Sequence, residues 1–295
     1  MHLIRTSTGR ACLAGLLLAA ALLSAGCGSK NKNVLASGTE PDKYLFEQGS
    51  EALSKRRWLR AREYFRQIVD EYPQSRYRPD AKLGLGDAFL GEGSIESLIV
   101  GGNEFREFLT FYPTHERAHY AQYKLGLSHY EQMLAPQRDQ SQTRDALKEF
   151  ETFVERYPNS SLINEGQAKL QECKDRLSDA DYQVGYHYYR SKWYPGAIGR
   201  FRSVLKGNPT YTRRDAVYYF LSDSYIRMGL APEAAPLLDR LVKEFEKSEY
   251  LLKAQRTLTD IQNGTIGSFS NTTPKKDTGK KEDKKTGRWF VDGGV

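Results

Sequence analysis

The chain has 295 residues, 39% hydrophobic and 27% charged, which is enough apolar material for a sizeable core. Its formal net charge is +7, but Lys and Arg are mixed with Asp and Glu along nearly the whole length, which excludes the concentrated basic stripe of a nucleic-acid binder. Three cysteines give no disulfide framework, and the sequence has no Gly-rich phosphate loop, paired-cysteine metal motif or nucleophile elbow.

At the N-terminus, His2, Arg5 and Arg10 precede ACLAGLLLAAALL (11–23), an apolar run too short for a membrane span. SAGC (24–27) follows. Small residues and then Cys resemble a bacterial lipoprotein signal, with cleavage before Cys27 and a diacylglycerol thioether plus an N-acyl chain on that residue. Ala25 and Gly26 fit the pattern, while Ser24 stands where Leu is usual and Leu23 comes one place early. The alternative is an ordinary secretory signal with an incidental cysteine. Gly28 rather than Asp after the cysteine implies, by the same resemblance, the periplasmic face of the outer membrane. The expected order is a signal peptide over 1–26 and a lipidated, polar tether over 27–40. Cys173 would be the one thiol left, so no intramolecular disulfide is possible.

From about Asp42 to Ile261 the apolar residues keep helical spacing, and one stretch recurs. EYFRQIVDEYP (63–73), NEFREFLTFYP (103–113), KEFETFVERYP (148–158) and, more loosely, GRFRSVLKGNP (199–209) each set a Phe eight residues before a Pro. Apolar residues three and four places after the Phe lie on one helical face: Ile68 and Val69, Phe108 and Leu109, Phe153 and Val154, Val204 and Leu205. The proline ends the helix, because it cannot continue the ladder and disfavours helix at the residue before it. Twelve residues after each Pro stands a Leu (Leu85, Leu125, Leu170, Leu221), so each unit reads helix, turn, helix.

The units resemble tetratricopeptide repeats, which carry a small residue at place eight, Ala at twenty, a large apolar residue at twenty-four and Pro at thirty-two. The first has Gly49, Ala61, Phe65 and Pro73; the second Gly86, Gly101, Phe105 and Pro113; the third Gly126, Ala146, Phe150 and Pro158; the fourth Gly185, Ala197, Phe201 and Pro209. A weaker fifth has Ser222, Ala234 and Leu238, with Glu246 where Pro would stand. From the turn Pro to the next small residue is 13 places in three cases and 27 from Pro158 to Gly185. The excess is close to four helical turns, which predicts one long helix joining two groups of repeats. The expected fold is all-α, a superhelical solenoid of about five helix pairs with a concave groove. It divides into front repeats over 41–163 (three units), the long helix plus rear repeats over 164–262 (two units), and a disordered Lys-rich tail over 263–295. RWFV (288–291) in that tail is either a peptide-like ligand or a terminal scrap.

Two motifs resemble catalytic signatures. HERAH (115–119) matches the zinc-protease pattern H-E-x-x-H, with Glu131 at a plausible distance for a third ligand. However, His115 comes two residues after the turn-setting Pro113, where sister units hold Ser75 and Ser160, so the sequence favours a turn over a metal site. Glu96-Ser97 resembles the Glu-Ser pair of lytic transglycosylases, without the glycine-led sequence that follows in that family. Among the aromatics of 182–201, Tyr188 and Phe201 fall at packing places, while Tyr189, Trp193 and Tyr194 form a candidate contact cluster.

Three stretches carry a closer resemblance: YLFEQGSEALSKRRWLRAREYFRQIVDEYPQSRY, YPTHERAHYAQYKLGLSHYE and DYQVGYHYYRSKWYPGAIGRFRSVLKGNPTYTRRDA. They are similar to the BamD family of outer-membrane assembly lipoproteins, over roughly residues 27–255. The resemblance implies a non-enzymatic, periplasm-facing scaffold of the β-barrel assembly machinery, with no cofactor or metal beyond the lipid on Cys27 and no nucleic acid. In that family the front repeats are thought to receive nascent outer-membrane proteins. The rear repeats dock on the periplasmic domains of BamA, beside other lipoproteins of the complex. The candidate client contacts are Tyr44, Phe46, Tyr77 and Phe89; the candidate BamA contacts are Trp193, Arg213 and Arg214. Arg213 and Arg214 open a helix, where cations oppose the dipole, which points to an acidic partner. Other adaptor roles remain open, such as a Tol-Pal-linked division coordinator or a pilus-secretin pilotin, as does a zinc peptidase through HERAH.

Overall fold

Each copy of the Phe-to-Pro stretch forms the second helix of an antiparallel pair. The computed structural model describes residues 40–266; the signal peptide, Cys27 and the Lys-rich tail lie outside the described residues. The pairs are α1 (Pro41–Ser54) with α2 (Trp58–Glu71), α3 (Arg78–Glu92) with α4 (Ile95–Phe111), α5 (Ala118–Tyr130) with α6 (Ser141–Arg156), α7 (Ile163–Arg190) with α8 (Tyr194–Gly207), and α9 (Arg214–Arg227) with α10 (Ala231–Glu244). Among the described residues an eleventh helix, α11 (Leu251–Gln262), stands without a paired helix and covers the last pair, burying Ala254 beside Leu238 and Leu241. Its residues keep helical spacing but lack the Phe-to-Pro signature, so the repeat pattern alone counts five pairs and not this cap. The described residues are all α-helix and turn, a tetratricopeptide-repeat solenoid.

The repeat places act through contact between glycine and phenylalanine. Phe65 is 1% exposed and lies between two helices: an added Cβ would come within 2.7 Å of its ring at Gly49 and 2.6 Å at Gly84. Gly86 faces Phe105 at 2.7 Å, Gly126 faces Phe150 at 2.9 Å and Gly185 faces Phe201 at 2.9 Å on the same construction. Real Cβ atoms do not sit so close to a fixed ring, so only glycine lets these helices approach with the ring between them. The prolines stop the second helices as the sequence requires. Tyr72, Tyr112 and Tyr157, each just before the Pro, have ψ of 65°, 54° and 54°, outside the helical region.

The 27-place gap is filled by α7, a single helix of 28 residues. Near its start, Gly166 abuts the Phe153 ring of α6, where a Cβ would lie 2.3 Å away. Near its end, Gly185 abuts Phe201 of α8. One helix therefore closes the third pair and opens the fourth, with about 28 Å of rise between the two contacts. The first helices of neighbouring pairs touch, α1 on α3, α5 on α7 and α7 on α9. They form the inner layer of the solenoid, and the second helices form the outer one.

A polar link recurs at the turns between pairs. Ser75, Ser160 and Ser248 each accept a hydrogen bond from the backbone N–H two residues on, at 3.1 Å. Each also reaches the first helix of its own pair: Ser75 Oγ donates to Asp42 at 2.6 Å, Ser160 Oγ lies 2.9 Å from His119 Nδ1, and Ser248 Oγ donates to Asp215 at 2.6 Å. In the fourth pair Tyr211 stands at the serine's place, and the link to the first helix comes from Asn208, three residues earlier, which accepts from Thr210 N–H and donates to Ser178. Turns within the pairs are different. A residue seven places after the small one takes a left-handed backbone in four units: Gly93 and Gly229 with φ of 76°, Arg56 with φ of 55° and Lys192 with φ of 61°.

Candidate binding surface

The inner layer presents the residues one and four places after each small residue, because these turn away from the partner helix and into the concavity. They are Ser50 and Leu53 on α1, Asp87 and Leu90 on α3, Leu127 and Tyr130 on α5, Tyr186 and Tyr189 on α7, and Asp223 and Ile226 on α9. The front and rear stretches of this face have different chemistry.

In front, α3 and α5 enclose a cleft of about 500 Å³, with Trp58 and Leu53 at one end and Glu131 at the other. Leu90 and Leu127 supply its apolar wall. The polar wall is one network: Tyr120 Oη donates to Asp87 at 2.8 Å, Lys124 pairs with Asp87 at 3.1 Å, and Arg117 stacks on the Tyr120 ring while pairing with Asp80 at 2.7 Å. Burial, with Asp87 beside it, raises the Tyr120 hydroxyl far above its ordinary range and keeps it a donor. The cleft combines apolar surface with fixed hydrogen-bonding groups, as a site for an extended segment does.

In the rear, the inner face is aromatic. Tyr182, Tyr186 and Tyr189 lie on successive turns of α7 with their rings stacked, at 6.1 Å and 11° and then at 6.2 Å and 17°. Phe220 of α9 meets Tyr186 and Tyr189 edge-on, each at 5.0 Å, and Tyr250 continues the row onto Tyr219 at 4.7 Å. Tyr189 Oη donates to Asp223 at 2.6 Å, which also accepts from Arg227. Burial pushes the Tyr182 hydroxyl up to about 12. Its ring is covered by the Arg213 guanidinium at 4.9 Å, and Arg213 pairs with Asp179 at 3.2 Å.

The residues singled out from sequence are distributed unevenly over this surface. Phe46 stacks on Tyr77 at 5.1 Å, and with Phe89 it packs against the core of the first pair; Arg62 covers Phe89 at 4.6 Å. Tyr44 is half-buried on α1. None of these four lines the 500 Å³ cleft. The repeat register could have found the cleft, since Asp87 and Leu127 directly follow the place-eight glycines. In the rear, Arg213 and Arg214 stand together at the start of α9, and both are matched within the chain. Arg214 lies 3.8 Å from Glu244 and over the Phe245 ring at 5.3 Å. These partners account for two cations at a helix start without an external acid. Trp193 is at the other end of the fourth pair, 54% exposed and edge-on to Tyr188 at 4.6 Å. The structure therefore separates Trp193 from the two arginines. Tyr189 and Tyr194 are half-buried in the aromatic row, so Trp193 is the exposed member of its cluster.

The histidines of HERAH serve the turn. His115 precedes α5 and its Nδ1 accepts from Arg117 N–H at 3.1 Å, the bond Ser75 and Ser160 make in their units. His119 occupies the place of Asp42 and Asp215 and bonds Ser160. Glu131 stands beyond the far end of α5, about 20 Å of helical rise away. Among the described residues no cluster of His, Cys, Asp and Glu could hold a metal ion. Ser97 is buried and its N–H donates at 3.2 Å to Ser94 Oγ, the cap of α4, so the Glu96-Ser97 pair is a helix start. Cys173 is buried beside Met133, and burial raises its thiol to about 12, which makes it a packing residue.

A repeat solenoid with two differently lined inner stretches defines a binding scaffold. The chain belongs to the outer membrane lipoprotein family YfiO, which matches residues 39–236. It is 28% identical over 250 residues to the outer membrane protein assembly factor BamD of Caulobacter vibrioides, covering 84% of this chain and 80% of that protein. It is 26% identical to the protein of the same name from Rickettsia prowazekii, covering 85% and 98%, and 27% identical to that of Vibrio cholerae, covering 74% and 91%. These relatives are assembly factors by name, and this chain is a scaffold rather than an enzyme. Among solved structures, a tetratricopeptide tandem of yeast Sti1 superposes with a TM-score of 0.41 at 9% identity, covering 76% of this chain and 84% of that one. No helix among the described residues is long and apolar enough to cross a membrane.

Proposed function

We propose that the chain is a lipid-anchored scaffold that holds nascent outer-membrane β-barrel proteins close to BamA at the periplasmic face of the outer membrane. The observation that carries this reading is the difference between the two inner stretches, set apart by α7. A mixed apolar and hydrogen-bonding cleft suits an extended client segment. An aromatic row with arginines at its edge suits a folded partner domain. The names of the relatives support the assembly role. Two modest sites on one rigid body raise the local concentration of client at its insertase without either site binding tightly. The client contacts are the walls around Leu90, Leu127 and Glu131, with Tyr44, Phe46, Tyr77 and Phe89 at the front edge. The BamA contacts centre on Arg213, Arg214 and the adjoining tyrosines, with other lipoproteins of the complex alongside. Cys27 carries the lipid.

Photo-crosslinking residues placed singly at Glu131 and at Arg213 test the division. The position in the cleft should trap β-barrel chains in synthesis, and the position on α9 should trap BamA. Each should prefer its own partner by about tenfold or more, the equivalent of ~1.4 kcal/mol. The same partner trapped equally at both positions would overturn the division.

A further inference from the structure

The turns within the helix pairs carry a feature that packing does not require. Gly93 and Gly229 take the left-handed backbone free of strain, but in the first and fourth turns the same place holds Arg56 and Lys192, residues for which that backbone is unfavourable. Both are exposed, and each precedes a tryptophan by one or two residues, Trp58 and Trp193. In the first turn the cations are concentrated. Lys55 pairs with Glu51 and Arg62 with Glu92; Arg56, Arg57 and Arg60 are exposed, Arg57 acting on Glu51 through its charge alone, and none of the three forms a close ion pair among the described residues. Leu59 projects between them and is 64% exposed. Trp58 lies flat against Gly91, where a Cβ would come within 2.7 Å of the indole, so the turn is held firmly to the end of α3. Just beyond, Ile95 and Ile99 extend the exposed apolar surface, at 65% and 50%.

We propose that this edge is a contact for an anionic lipid surface, with Arg56, Arg57 and Arg60 at the headgroups and Leu59, Ile95 and Ile99 in the interfacial layer. Charge complementarity decides the occupant: three exposed guanidiniums outside any close ion pair call for a dense anionic surface, and the aliphatic side chains among them match the apolar layer under lipid headgroups. The apolar residues lie at the starts of two helices, Leu59 and Ile95 in the first turns and Ile99 one turn further on, and they project singly, which fits a planar surface better than a peptide segment. Family membership places the chain beside such a surface. The fourth turn likewise sets a left-handed cation, Lys192, directly before a tryptophan, the exposed Trp193.

The test uses the full-length purified protein with an environment-sensitive fluorescent amino acid at Leu59, on vesicles of phosphatidylethanolamine with or without phosphatidylglycerol. Flotation is followed in parallel to record attachment by any other route. The reporter should shift to an apolar environment with phosphatidylglycerol and lose the shift at high salt. Affinity should fall about fivefold for each arginine removed in Arg57→Gln and Arg60→Gln. Arg56→Gly relieves the backbone and should hold or raise Tm while weakening the shift, an outcome a purely structural residue would not give. A reporter that stays in water while the protein floats would overturn the proposal. So would a shift indifferent to phosphatidylglycerol and to the arginines. Protection of this position in whole envelopes, without a lipid response in vesicles, would overturn it in favour of a protein on that edge.

Discussion

Gly185→Leu is expected to destabilise the protein by about 3 kcal/mol or more, the upper range for overpacking a closed core. Even the first added atom would sit 2.9 Å from the Phe201 ring and 3.2 Å from Arg200 Cβ. Phe201 cannot retreat. It is fully buried, Tyr182 meets it at 5.8 Å and Phe220 at 6.4 Å. The remaining route is to push α7 from α8, which opens the core of the fourth pair. Phe201→Ala should cost about 3–5 kcal/mol through the cavity it leaves. The double variant should cost less than the sum, because leucine then fills part of that cavity. Urea titration followed by helical circular dichroism measures all three. Wild-type stability in Gly185→Leu would mean that the helices do not meet at this residue.

Cys27→Ala should remove nearly all of the protein from the outer membrane, leaving it uncleaved or released into the periplasm. The proposed anchor has three acyl chains, where a single chain gives only marginal binding, so its loss should exceed anything the basic edge can restore. Fractionation of cell envelopes gives the answer, and unchanged outer-membrane recovery of the variant would exclude Cys27 as the anchor.

The fold was largely legible because repetition multiplies a weak local signal. A single Phe-x₇-Pro means little, but four copies at compatible spacing define the paired helices, and the odd 27-place gap identifies α7 through helical phase alone. The binding surface was less legible. Phe46, Tyr77 and Phe89 are conspicuous as aromatics, yet aromatics in a small repeat are needed to close the core, and these pack against the first pair. The cleft instead uses Asp87, Leu90 and Leu127, ordinary residues whose role comes only from their phase relative to the glycines. HERAH misleads for a similar reason: His115 and His119 occupy two places of a recurring turn link that serine and aspartate fill elsewhere. That link pairs residues about thirty to forty positions apart, and no local pattern announces it. Arg213 and Arg214 point to an outside acid when read from sequence, because their internal partners Asp179 and Glu244 lie on other helices.

The assembly role itself is tested most directly by depleting the chain from growing cells and quantifying outer-membrane β-barrel proteins against inner-membrane proteins in the same envelopes. The account predicts a selective loss of the β-barrel proteins, restored by the wild-type chain and not by Cys27→Ala or Gly185→Leu. Unchanged levels of β-barrel proteins after depletion would contradict it.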